Sequence, residues 1–222
     1  MVVGAGRAYL SLPKKGQPPL PGLVLIHDRW GLDDHTKRWA ERLSAEGYAA
    51  LAVDLYGGAV AKAPAEADEL MAKVDDTAAR QQLLDAFAFL AEDDRIKAPK
   101  RGAIGWCIGG RWAVDLALAA PQLDAVVTYY GHLSQQAEKL AALEAPLLAV
   151  FGNQDEVIDL KAVQRFEFGL EQAGGKRYQL VRLDGGHDFA NPSRPSYAAQ
   201  PAAAAWRQVR RFLRDHLSEP PG

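Results

Sequence analysis

The sequence holds a single cysteine, Cys107, among 222 residues. A lone thiol forms no internal disulfide and builds no zinc or iron–sulfur site by itself. Long apolar runs are missing as well. The stretch Leu23 to Ile26 is far too short to span a bilayer, and the N-terminus has no basic region followed by an apolar one. Neither sign of charge is in surplus: 26 basic and 28 acidic residues leave a net charge of −2 with no basic arm, so the electrostatic footprint for nucleic acid is missing. No His-Glu-x-x-His motif or carboxylate cluster points to a metal. Gly4-Ala-Gly6 lacks the third glycine of a dinucleotide fingerprint, and Gly175 stands where a phosphate loop requires lysine. These absences lead to the expectation of a cytoplasmic monomer with no cofactor and no membrane or nucleic-acid partner.

What is present is 48% apolar and 24% charged residues, enough for one well-buried domain over residues 1–222. Short apolar runs alternate with longer amphipathic segments, the pattern of an α/β chain with a mostly parallel central sheet and helices on both faces. Strands are expected at Gly22–His27, Ala49–Val53, Gly102–Trp106, Ala125–Tyr129, Leu147–Phe151 and Tyr178–Arg182, with a weaker one at Arg7–Ser11. Helices are expected at His35–Glu46, Ala65–Lys73, Asp76–Ala91, Gly109–Ala119, Gln135–Leu143, Leu160–Ala173 and Ala202–Leu217. Pro13–Pro21 reads as a surface loop and Pro220–Gly222 as a frayed tail. The segment Gly57–Lys73 exceeds a simple crossover, and such insertions often lie over a site.

The most informative run is Gly105-Trp106-Cys107-Ile108-Gly109-Gly110. A strand that enters Gly-x-Cys-x-Gly and then a helix is a nucleophile elbow with cysteine in the place of serine. The turn is so tight that side chains two residues before and after the nucleophile would strike backbone. The positive end of the following helix favours a thiolate. An elbow nucleophile needs an acid and a histidine, which the α/β-hydrolase fold supplies in that chain order. Asp155 follows the strand ending at Phe151, and His187 follows Asp184-Gly185-Gly186. Loops at the carboxyl ends of parallel strands share one edge, so these residues can converge. Glu156, Asp159, Asp184 and Asp188 compete for the acid's place, whereas His35, His132 and His216 read as surface histidines.

On these motifs, together with Asp54-Leu55-Tyr56, Tyr129-Tyr130-Gly131, Gly152-x-x-Asp155 and Gly186-His187-x-Phe189, the chain resembles the dienelactone hydrolase family of α/β-hydrolases from about Leu23 to Leu217. The resemblance implies an α/β-hydrolase fold and an ester, lactone or thioester hydrolase working through Cys107, His187 and Asp155 and an acyl-enzyme, on a small-molecule substrate. It also implies that the backbone N–H groups of Arg29 and Ile108 form the oxyanion hole. Asp28 takes the place of the glutamate that holds the resting thiol away from histidine, one methylene shorter. Where the family grips a substrate carboxylate with arginine, four residues after the histidine, this chain has Asn191. Trp30, Tyr130 and Phe189, with Asn191, are expected at the substrate pocket, while Trp106 and Tyr129 are expected to pack in the core. The alternatives on the same residues are another cysteine-dependent acyl transferase or peptidase, or a binding protein that kept the fold without turnover.

Overall fold

The computed structural model describes residues 1–218, so the expectation for Pro220–Gly222 lies outside the described residues. Eight strands form one sheet in the order β1-β2-β4-β3-β5-β6-β7-β8. They are β1 (Val2–Val3), β2 (Gly6–Ser11), β3 (Gly22–Ile26), β4 (Ala49–Asp54), β5 (Arg101–Trp106), β6 (Ala125–Tyr129), β7 (Leu147–Gly152) and β8 (Tyr178–Leu183). The first two pair antiparallel, β2 joins β4 antiparallel, and β3 through β8 run parallel. Seven helices cover the sheet among the described residues: α1 (Asp34–Ala45), α2 (Pro64–Ala72), α3 (Asp76–Glu92), α4 (Ile108–Ala119), α5 (Ala137–Leu140), α6 (Leu160–Gln172) and α7 (Ala199–Leu217).

The central strands are apolar on both faces because each face has its own core. In β3, Val24 and Ile26 point to one side, with Leu83 and Phe87 of α3, Trp112 of α4 and Phe166 of α6. Leu23 and Leu25 point to the other, with Trp39 and Leu43 of α1 and Trp206, Val209 and Phe212 of α7. This period-2 division is what a sheet covered on both faces requires. Trp106 and Tyr129 stack at 5.9 Å within the second core, as expected of packing residues.

Two expectations need correction and one strand was not expected. The segment Gln135–Leu143 forms only the single turn α5 and then passes through turn hydrogen bonds from Ala142 and Leu143, because it must cross α6 where Gly169 has no side chain to collide with the Gln135 carbonyl. The strand β1 is too short for a sequence pattern to reveal. His35 is buried, not a surface residue: Asp33 caps α1 through Thr36 N–H and starts the helix so that the imidazole turns inward, edge-on to Trp39 and Trp106. Among the described residues no helix is long and apolar enough to cross a membrane.

Candidate active site

Parallel pairing places the C-terminal ends of β3, β5, β7 and β8 on one edge of the sheet. Cys107 follows β5 directly, at φ 53° and ψ −118°. Such a conformation costs a residue with a Cβ on the order of 1–3 kcal/mol and persists where surroundings impose it. They do so here: a Cβ on Gly105 would collide with the Gly109 carbonyl, and one on Gly109 with the carbonyls of Ile26 and His27. Of the four non-glycine residues at positive φ among the described residues, Cys107, Tyr130 and Asp188 all stand at this edge.

His187 bridges the thiol and a carboxylate. Its Nε2 lies 3.2 Å from Cys107 Sγ, and its Nδ1 lies 2.9 Å from Asp155 Oδ2. The other oxygen of Asp155 accepts the backbone N–H groups of Val157 and Ile158, both at 2.8 Å. The two loops meet closely because Gly152 has no side chain to strike the Gly185 carbonyl, and Asn153 and Gln154 N–H bond Leu183 and Gly185. The rival acids fall elsewhere: Asp184 accepts from Asn153, and Asp188 lies 3.9 Å from the Nε2 side of His187. Burial opposes a charge on His187, but hydrogen bonds to Asp155 and Cys107 and the charges of Cys107 and Asp188 push its pKa up to about 10.

On the β3 side, Asp28 is buried. Its carboxylate accepts Trp30 N–H at 2.9 Å and the Asn191 side-chain amide at 3.2 Å. Burial pushes it up to about 7, opposed by the Trp30 hydrogen bond and aided by the charges of Asp188 and Asp33. Asn191 is fully buried and also accepts Ser193 N–H. The placement of Asn191 in a pocket is therefore corrected: it supports Asp28 from beneath. Phe189 is likewise fully buried against Tyr130 and lines nothing open. Tyr130 is buried too, with its ring centroid 5.1 Å from that of His187. Trp30 is covered by Ala61 and Ala67 of the Gly57–Lys73 segment and by the Arg194 guanidinium, 3.6 Å from its centroid. That segment also holds Arg29 through the Pro64 carbonyl and Asp68. A groove of about 280 Å³ between α1 and the start of α7, bordered by Trp39 and Tyr197, contains none of Cys107, Asp155 and His187.

Two neighbours receive no role from a reading of the sequence. His27, at the end of β3, bonds the Asp28 carbonyl and Leu55 N–H. Tyr56 packs edge-on to it at 4.6 Å and donates to the Arg29 carbonyl. Asp54-Leu55-Tyr56 is among the runs that carry the family resemblance, but nothing in either segment marks the contact between His27 and Tyr56. It becomes visible only once β3 and β4 are known to be neighbours. Among the described residues no group of three or more His, Cys, Asp or Glu side chains could hold a metal ion.

Comparison with known proteins agrees with this architecture. The model of the dienelactone hydrolase family matches residues 7–217. A protein of Escherichia coli (strain K12) named "Putative carboxymethylenebutenolidase" is 30% identical over 94% of this chain and 82% of its own. The crystal structure titled "Putative Dienelactone Hydrolase" from Klebsiella pneumoniae superposes with a TM-score of 0.86 at 27% identity, covering 94% of this chain and 92% of that one. The dienelactone hydrolase-like promiscuous phosphotriesterase P91 from metagenomic libraries gives 0.84 at 26% identity, over 95% and 92% of the two chains. Since the match takes in the whole parallel part of the sheet and every loop of the edge just described, this chain belongs to the dienelactone hydrolase family, with the α/β-hydrolase fold and the carboxylic ester hydrolase activity of that family.

Proposed function

We propose that the chain opens a lactone or cleaves a related ester through a Cys107–His187–Asp155 triad and an acyl-enzyme. The observation that carries this reading is the line Sγ, Nε2, Nδ1, Oδ2, with its 3.2 and 2.9 Å separations, at a strained elbow. Hydrogen bonds to Asp155 and Cys107 favour the protonated form of His187, so its imidazole takes up the thiol proton and the sulfur attacks as thiolate. The thiolate pair forms a C–S bond, the carbonyl pair moves to oxygen, and the resulting oxyanion is met by the N–H groups of Ile108 and Arg29. Collapse breaks the C–O bond, and the leaving alkoxide takes the proton from His187 Nε2. In a lactone that alcohol stays tethered to the acyl group. His187 then deprotonates water, which attacks the thioester; the second collapse releases the carboxylic acid product and returns the thiolate. Asp155 keeps the ring oriented and stabilises the imidazolium.

Support for Ile108 as a donor is its place as the first residue of α4, where an N–H has no partner within the helix. The substrate class follows the carboxymethylenebutenolidase and lactonase names of relatives. The test is hydrolysis of p-nitrophenyl acetate and of a butenolide by wild type and Cys107→Ala, with iodoacetamide stoichiometry read by mass spectrometry. One label on Cys107 with loss of both activities is expected. A fully labelled protein that still hydrolyses either substrate overturns the proposal.

A further inference from the structure

We infer that His27 is a positioning residue for the oxyanion hole, holding the Asp28–Arg29 peptide unit by its carbonyl and thereby aiming the Arg29 N–H. The inference rests on the proposed role of that N–H. His27 Nδ1 lies 2.6 Å from the Asp28 oxygen, while Leu55 N–H donates to Nε2 at 3.1 Å. A ring nitrogen that accepts cannot carry the proton, so the proton is on Nδ1 and donates to Asp28. The imidazole is buried and burial lowers its pKa, which keeps this neutral tautomer.

The Asp28 carbonyl and the Arg29 N–H are the two ends of one planar peptide, so fixing the first fixes the direction of the second. A hydrogen bond accepted at the oxygen also polarises the N–H. The following peptides are held in the same manner: the Arg29 carbonyl accepts the Tyr56 hydroxyl at 3.3 Å, and the Trp30 carbonyl accepts Ala61 N–H at 2.9 Å. Gly31 N–H adds a longer bond, 3.3 Å, to the Asp28 oxygen. Arg29 N–H itself has no acceptor among the described residues. Only a group that accepts on one side and donates on the other ties β4 to this peptide.

The experiment compares His27→Ala, His27→Asn and His27→Gln in the full chain. Asparagine places an amide N–H where Nδ1 stands, and glutamine places it where Nε2 stands. Three readouts are taken on a neutral ester: kcat and KM, affinity for an aldehyde analogue whose hemithioacetal oxygen occupies the hole, and the rate of Cys107 alkylation by iodoacetamide, which forms no oxyanion. In His27→Ala and His27→Gln, kcat and aldehyde affinity are expected to fall about 10- to 100-fold with KM within about threefold. Alkylation stays within about twofold and His27→Asn recovers most of the loss. Equal losses in the Asn and Gln variants, an unchanged kcat, or a parallel fall in alkylation would each overturn the inference, and the Asn–Gln contrast decides it even where alanine does not fold. Failure of the triad reading has a separate signature, an active Cys107→Ala.

Discussion

Two buried aspartates stand on opposite flanks of Cys107 and differ in what surrounds them. Asp155 has a side chain with no exposed surface, two backbone N–H groups on one oxygen and an imidazole on the other. Asp28 is buried as well, but it receives two donors, one of them at 3.2 Å, and faces like charges on Asp188 and Asp33. Burial alone therefore does not decide what a carboxylate can do. The donors and charges around it do. In the proposed triad the Asp155 flank holds the imidazolium, whereas burial on the Asp28 flank pushes that carboxyl up to about 7.

The largest effect comes from removing what both flanks serve. Cys107→Ala is expected to lower kcat for p-nitrophenyl acetate by about 10⁴ or more, with Cys107→Ser leaving only a small residual rate. Next, Asp155→Asn tests the first flank. It keeps the shape and the Val157 and Ile158 bonds within reach of Oδ1, yet loses the charge opposite Nδ1, and kcat should fall about 10³-fold. Asp184→Asn, at a side chain that accepts from Asn153, should change kcat less than about threefold. A reversed order of these two variants would mean that the acid has been assigned to the wrong loop.

How far all this is legible in the sequence depends on the range of the interactions. The elbow is readable because its demands are local: glycines at 105 and 109 and a strand leading into a helix. The order Cys107, Asp155, His187 is readable because parallel strands deliver their loops to one edge. The six main strands lie within one residue of their expected ends, five of them because their apolar runs are buried on both faces, whereas β8, at the edge, mixes half-buried and exposed residues. Asn191 and Phe189 are misplaced by sequence reasoning because nearness in the chain to His187 does not say which way the chain turns. Asp188 at φ 61° and the Asn191 N–H to Asp188 carbonyl bond fold this loop back into the protein, under Asp28 and Tyr130. His27 is invisible because its meaning lies in Leu55, which pairing of β3 with β4 brings beside it.

The second flank is sharpened by pH. Asp28 rises from 3.8 unfolded to about 7 folded, so the unfolded chain releases this proton first. Its contribution to stability is complete below pH 4 and is lost as pH climbs toward 7, a slope worth a few kcal/mol in total. Asp28→Asn removes the titration. The difference in unfolding free energy between variant and wild type, measured in urea from pH 4 to 8, should therefore shift in favour of the variant across that window and level off above it. The intercept carries the cost of an imperfect fit, since the amide introduced by Asp28→Asn meets that of Asn191, but the slope does not. A pH-independent difference would show that Asp28 stays ionised throughout.

The smallest effect concerns substrate charge, and it follows from where the cations near this flank are already engaged. Asn191 is buried and bonded to Asp28, so it offers nothing to a substrate carboxylate. Arg29 is bound to Asp68 and the Pro64 carbonyl, and Arg194 lies over Trp30 with Asp33 at 3.8 Å. A clamp would have to release one of these guanidiniums from an existing partner, and the gain from a bidentate contact is then largely offset by the contact given up. Neutral lactones should accordingly be turned over at least as well as carboxylated ones of similar size, with kcat/KM ratios inside about tenfold, or about 1.4 kcal/mol. Asn191→Arg gives the contrast: a buried guanidinium beside Asp28 should cost stability and leave the preference unchanged, because the position faces the carboxylate of the protein and not that of the substrate. A preference above tenfold for the anionic lactone in wild type, abolished by Arg194→Gln, would instead place the clamp three residues further along the same loop.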